Sequence, residues 1–280
     1  MQKISLRNLI IRFKWRISFT FTLVVLDALL NILYPLLIGL AINDLLEGKY
    51  IGIMRLVGLG VLSLVVGSAR RFYDTRVYSG IYCQISPEMV EKEYKKESSV
   101  SVISARSSLL TEFVKFLENS MPEVIGAVVS LIGIISILAT LNLKVFLACI
   151  ALLLLILAVY TISGKLNYRL NAKYNNQLER QVEALESRDI GFIKDYFRSL
   201  MKWNIKLSDL ETVNFLVIWI GIIALFIYTP ITVIESGILK YGLVFSVLMY
   251  VFEYIDKAVT FPLYIQQLIR LTEISKRLEE

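Results

Sequence analysis

Apolar and polar positions fall in long blocks along this chain, and in two places the helical period outlasts the apolar block that begins it. Residues 145–163 are almost wholly apolar, enough to cross a hydrocarbon core of roughly 30 Å. Beyond them Leu166, Leu170, Tyr174, Leu178, Val182 and Leu185 recur every three or four positions among Lys, Arg, Asn, Gln and Glu. That is one apolar stripe on an otherwise wet helix. As a single helix, residues 144–188 would reach about 65 Å at 1.5 Å per residue, roughly twice the membrane thickness. A break is expected where Ser187, Asp189 and Gly191 fall, and residues 192–206 lead back into a further apolar run. The same overshoot follows residues 51–67, where polar helix continues past Arg70 and Arg71 to about residue 96. The serine-rich residues 98–108 read as the turn at its far end.

The pattern predicts six membrane spans, at residues 17–42, 51–67, 122–141, 145–163, 213–228 and 237–265. The expected fold is an all-α membrane protein, one transmembrane domain over residues 1–280 with two long helical hairpin extensions, 68–115 and 165–206. Residues 1–16 read as an amphipathic helix on the inner membrane face, and residues 266–280 as a charged tail. Composition points the same way: 56% of residues are hydrophobic, above the level of a soluble domain. Of the 30 Lys and Arg residues, 26 lie before the first span, in the extensions, or from Lys257 onward. The positive-inside rule then places both termini and both extensions in the cytoplasm, and the expected location is the cell (inner) membrane, crossed several times. Acids interleave with the basic residues, as at Glu179-Arg180, so no nucleic-acid surface is read from the charge. Cys83 and Cys149 fall in an extension and a span, where no disulfide is expected. With no histidine, a transition-metal site has little support.

Candidate chemistry concentrates in the last and first spans. Ser246, Tyr250, Glu253, Lys257, Thr260, Tyr264 and Gln267 follow alternating steps of four and three, with Asp256 beside them. An ionisable residue facing lipid is costly, so this stripe is expected to face a bundle interior or a wet cavity. Two readings stand. Tyr250, Glu253, Asp256, Lys257 and Thr260 line a substrate pathway, or Glu253 and Lys257 simply pair four residues apart. In the first span Asp27 and Asn31, with Thr20 and Tyr34, share one face. Asp27 has no basic neighbour within a turn, so it is expected to be protonated, to bond to another helix, or to serve transport. Glu112, Lys115, Glu118 and Asn119 read as a solvated face. Pro35, Pro122 and Pro262 read as bends, and Gly58, Gly60, Gly126 and Gly133 as points of close helix contact.

This architecture resembles the six-helix transmembrane domain of exporter-type ABC transporters, over essentially the whole chain. Ile103-Ser104-Ala105-Arg106, then Phe113, Phe116 and Met121-Pro122, look like that family's return into its third helix. Asp189, Ile190, Gly191, Phe192, Ile193 and Lys194, with Tyr196, look like its second coupling segment, and 274–279 like its exit from the last helix. The resemblance implies a homodimer, or a heterodimer with a homologous subunit, enclosing a pathway in the lipid bilayer. It also implies that the two hairpin tips dock an ATPase. These 280 residues hold no phosphate-binding G-x-x-x-x-G-K-S/T loop, since Gly164-Lys165 is followed by leucine. The chain is therefore expected not to be an enzyme and to bind no cofactor itself, with ATP acting only through a partner subunit. It looks closest to the family's stand-alone form lacking the ATPase domain. The alternative is an ATP-independent homodimeric channel or carrier of the same fold.

Overall fold

The computed structural model describes residues 11–236 and 240–279. Among these residues there are eight α-helices and one π-helical turn. They are α1 (Lys14–Leu46), α2 (Ile51–Lys95), α3 (Val100–Lys115), the π turn (Phe116–Ser120) and α4 (Met121–Leu141). There follow α5 (Leu143–Glu179), α6 (Gln181–Glu186), α7 (Ile190–Glu235) and α8 (Tyr241–Glu279). By length and composition five stretches among the described residues suffice to cross a membrane: α1, α2, α3 through α4, α5 through α6, and α7. The last helix is not among them, because Glu253, Asp256 and Lys257 interrupt its apolar half. Packing divides the chain into two compact units, Met1–Asn142 with Val233–Glu280, and Leu143–Thr232.

In the first unit, α2 outlasts its apolar run and buries a second stripe. Val77, Tyr78, Ile81, Ile85 and Met89 recur at helical spacing and pack with Leu110, Phe113 and Leu117 of the returning helix. Phe13 and Ile17 from the start of α1, and Leu271 and Ile274 from the end of α8, join this core. The expected interfacial helix falls mostly on residues 1–10, outside those described. Its remainder is held along α2, where Arg12 donates to both carboxylate oxygens of Glu88 at 2.7 Å. Likewise residues 266–279 continue α8 and contribute to a core, where a charged tail was expected.

The serine-rich stretch proves to be mostly helix: the turn spans only residues 96–99, with Glu97 in the left-handed region at φ 52°. Glu93 fastens it. Its carboxylate, 1% exposed, accepts from Ser98 Oγ at 2.8 Å and from Arg106 at 2.8 Å, with Lys96 3.6 Å away. Burial alone would push this carboxyl up; Ser98, Arg106 and Lys96 outweigh it and hold it below the ordinary glutamate value. Farther along, Pro122 lacks an N–H and its ring crowds the carbonyl four residues back. The π turn directly before it absorbs that mismatch without breaking the rod.

Between α1 and α8 the close approach is made by Gly39 and Gly242. A Cβ on either would collide with the other's backbone, and one on Gly39 would also strike Ser246. Asn43 Oδ1 accepts from the Gly242 N–H at 2.9 Å, capping α8 from a neighbouring helix. Of the glycines expected to permit close contact, Gly58, Gly60 and Gly126 have open space, and only Gly133 lies against a neighbour, Ile32.

The second unit is a long helical pair closed by a short turn. Asn214 donates to Ser163 Oγ at 3.1 Å, and Gly221 admits Leu152 and Leu155. Toward the turn Ala184, Tyr196 and Leu200 form a small core with Tyr174 against it. The expected stripe is covered only at Leu170 and Tyr174, while Leu166, Val182 and Leu185 are exposed. Arg188 takes φ 51° at the turn, and Asp189 Oδ1 accepts from the Gly191 N–H at 2.8 Å, opening α7.

Candidate functional site

Within the first unit, four long helices present polar groups to one cleft of about 370 Å³. From α1 come Asp27 and Asn31, one turn apart on the face the sequence pattern singled out. α2 contributes Arg70, α4 contributes Glu123 and Ser130, and α8 contributes Glu253, Lys257 and Tyr264. Val24, Ala28, Ile32, Pro122 and Ala127 supply an apolar wall.

Asp27 finds its partner on another helix. Arg70 Nη1 donates to its carboxylate at 2.6 Å, while Arg70 Nε lies 3.5 Å from Asp74 one turn further along α2. Asp74 is 9% exposed at its side chain, and Thr20, fully buried, lies beside it. Asp27, Asn31 and Arg70 also line a second cleft of about 450 Å³, with Tyr34, Ser63, Ser68 and Arg71. The Asp27–Arg70 pair is thus a shared wall between two clefts. A carboxylate and guanidinium this close, with a second carboxylate behind, form a charge-assisted network that fixes α1 against α2.

The polar stripe of α8 divides by role. Ser246 and Tyr250 are buried and do not reach the cleft. The Ser246 hydroxyl donates to the Pro35 carbonyl and the Tyr250 hydroxyl to the Ile32 carbonyl, each at 2.8 Å. Pro35 interrupts the hydrogen-bond ladder of α1, and these side chains serve carbonyls around the interruption. Tyr250 is therefore helix-to-helix glue and is withdrawn from the pathway lining. Asp256 and Thr260 are also outside the cleft lining: Asp256 pairs with adjacent Lys257 at 3.0 Å, and the Thr260 hydroxyl donates to the Asp256 carbonyl on its own helix. In the alternative Glu253–Lys257 pairing, the close contact of Lys257 goes to Asp256, while its charge still acts on Glu253 one turn away. Asp27, Asn31, Glu253 and Lys257 are brought together. Arg70 and Glu123 were missed by the sequence reading. The signal for Arg70 was present: a lone acid in the first span needs a base, and Arg70 opens the polar extension of the next helix.

At the turn of the second unit, the segment from Asp189 to Lys194 presents apolar side chains outward. Ile190 is 77% exposed and Phe192 40%, whereas Ile193 is half-buried and Lys194 exposed. Tyr196, just beyond, is buried in the small core and fixes the start of α7. Among the described residues, no three His, Cys, Asp or Glu side chains gather to hold a metal ion.

Comparison with characterised proteins finds none that matches this chain. A family model does match, described as the ABC transporter transmembrane region, over residues 6–248. The match covers α1 through the first turns of α8 and ends before Glu253 and Lys257. Long apolar helices, polar extensions and a charged cleft among the helices agree with that assignment, and the chain belongs to the ABC transporter transmembrane region family.

Proposed function

We propose that the chain is the membrane subunit of an ABC exporter-like transporter, forming the substrate pathway as a dimer and docking a separate ATPase subunit. In this reading α8 is a sixth span, its charged middle turned to the pathway. Both termini and both helical extensions lie in the cytoplasm of the inner membrane, as the distribution of Lys and Arg favours. The observation that carries the reading is the cleft, where ionisable groups from α1, α2, α4 and α8 surround one space. A bundle needing only to pack has no use for that arrangement, because charged groups within spans are costly. Exposed Ile190 and Phe192 on the capped turn would supply the apolar contact to the ATPase. ATP hydrolysis by the partner would then drive rocking of the bundle around the cleft.

The test is co-purification in mild detergent with a P-loop ATPase whose hydrolysis is stimulated by this chain. The expected result is a stimulated complex that is lost in Phe192→Asp with Ile193→Asp while the variant's Tm is kept. Failure to recover any nucleotide-binding subunit would sink this version. The alternative, a homodimeric channel or carrier needing no ATPase, draws on the same charged cleft. It requires ion flux from liposomes holding this chain alone, altered by Glu253→Ala, and tight liposomes would remove it.

A further inference from the structure

Charge pairing in the cleft is lopsided. Both of its cations are committed: Arg70 faces Asp27 at 2.6 Å and Asp74 at 3.5 Å, and Lys257 faces Asp256 at 3.0 Å. Its carboxylates outnumber them. Glu123, in the first turn of α4, makes no hydrogen bond or ion pair among the described residues, and Glu253, on α8, shares the charge of Lys257 with Asp256. An anion entering this space would meet an excess of carboxylates and no base without an acidic partner. A cation would meet two acceptors in net excess over the bases, Glu253 half-buried and Glu123 at the exposed edge of the cleft. The remaining lining is neutral. Asn31 and Ser130 offer hydrogen bonds, Tyr264 offers a ring face that suits a cation, and Val24, Ala28, Pro122 and Ala127 offer apolar contact. At about 370 Å³ the space suits a small organic molecule.

We infer that this cleft takes an amphipathic monovalent cation, an amine or onium group held between Glu123 and Glu253 with its apolar body against α1 and α4. The inference rests on reading the cleft as the substrate site and adds the chemical class of what enters it.

Two probes of matched size and opposite charge test it: tetraphenylphosphonium and tetraphenylborate, bound to the full chain in lipid nanodiscs. The phosphonium ion is expected to bind about tenfold or more tighter than the borate, with each of Glu123→Gln and Glu253→Gln erasing about tenfold of its affinity, one unit of 1.4 kcal/mol. Borate affinity is expected to hold or rise in those variants. Gly126→Leu fills the cleft without touching either carboxylate, since Gly126 has open space before it, and is expected to weaken both probes while Tm is kept. Equal binding of the two probes, tighter borate binding, no binding of either, or wild-type phosphonium affinity in both Gln variants would each overturn the proposal. The transport reading fails separately. Selective phosphonium binding without ATPase coupling or flux removes that reading and leaves the cation site. Coupled flux of another solute without phosphonium selectivity does the reverse.

Discussion

Arg70 joins two acids from two helices, and its removal strands both. Its side chain is 27% exposed and that of Asp74 9%, so neither carboxylate would be fully rescued by water. Arg70→Met is expected to cost about 2–4 kcal/mol, as when one partner of a buried pair is deleted. Asp27→Asn should cost less, because Arg70 keeps Asp74, and the double variant should recover part of the loss. Thermal unfolding in detergent reads this order, and an Arg70→Met variant as stable as wild type would refute the network. Glu93 makes a pH argument at the same scale. It lies about 39 Å beyond the apolar run of α2 at 1.5 Å per residue, well clear of the hydrocarbon. Its carboxyl is held below the ordinary 4.5 by partners that favour the charged form. A depressed folded pKa contributes stability that is present above the unfolded value and lost as pH falls through the folded one. Hydrogen exchange around residues 93–106 should therefore accelerate below about pH 4.5. In Glu93→Gln the same amides should exchange faster already at neutral pH, with a flatter acid response. A wild-type profile in the variant would show that Ser98, Arg106 and Lys96 do not fasten the turn through this carboxylate.

Helix contacts are decided by pairs of positions, which is where a single sequence is least informative. Nothing local separates Gly39 from Gly58, yet a Cβ on Gly39 meets the backbone of Gly242 and one on Gly58 meets open space. Backbone cannot rotate away as a side chain can, so Gly39→Ala or Gly242→Ala is expected to destabilise by about 1–3 kcal/mol. Gly58→Ala should stay within about 0.5 kcal/mol. Parallel melting curves distinguish them, and equal shifts would place the α1–α8 contact elsewhere. The same logic explains what was legible beforehand. Apolar run lengths placed the long helices, including the near-continuous α5, because periodicity is a property of one strand of sequence. The need of Asp27 for a partner was legible from its surroundings, but the choice of Arg70 was not, since pairing between helices leaves no periodic trace. The α8 stripe was read as one face with one purpose. On another helix the Pro35 carbonyl claimed Ser246 and the Ile32 carbonyl claimed Tyr250, which left Glu253 and Lys257 to the cleft. The serine-rich turn failed for a simpler reason: hydroxyls there turn back onto helix carbonyls, Ser108 Oγ donating to the Ser104 carbonyl and Thr111 Oγ1 to the Ser107 carbonyl.

At the scale of the whole chain the central question is which ends face which side, and the two native cysteines answer it without added labels. Cys83 sits exposed on the polar extension of α2, while Cys149 is fully buried near the start of α5. A thiol reacts only where a reagent can reach it, and burial removes that access. In the folded protein a charged, membrane-impermeant maleimide should therefore modify Cys83 and spare Cys149, and Cys83→Ser should abolish labelling until the protein is denatured. With that specificity established, sealed vesicles decide orientation. If the excess of Lys and Arg in the extensions follows the positive-inside rule, Cys83 labels in inside-out vesicles and is protected in right-side-out ones. Labelling from the outer face alone would invert the topology, move the exposed Ile190 and Phe192 away from any cytoplasmic ATPase, and leave the passive channel or carrier as the reading consistent with this fold.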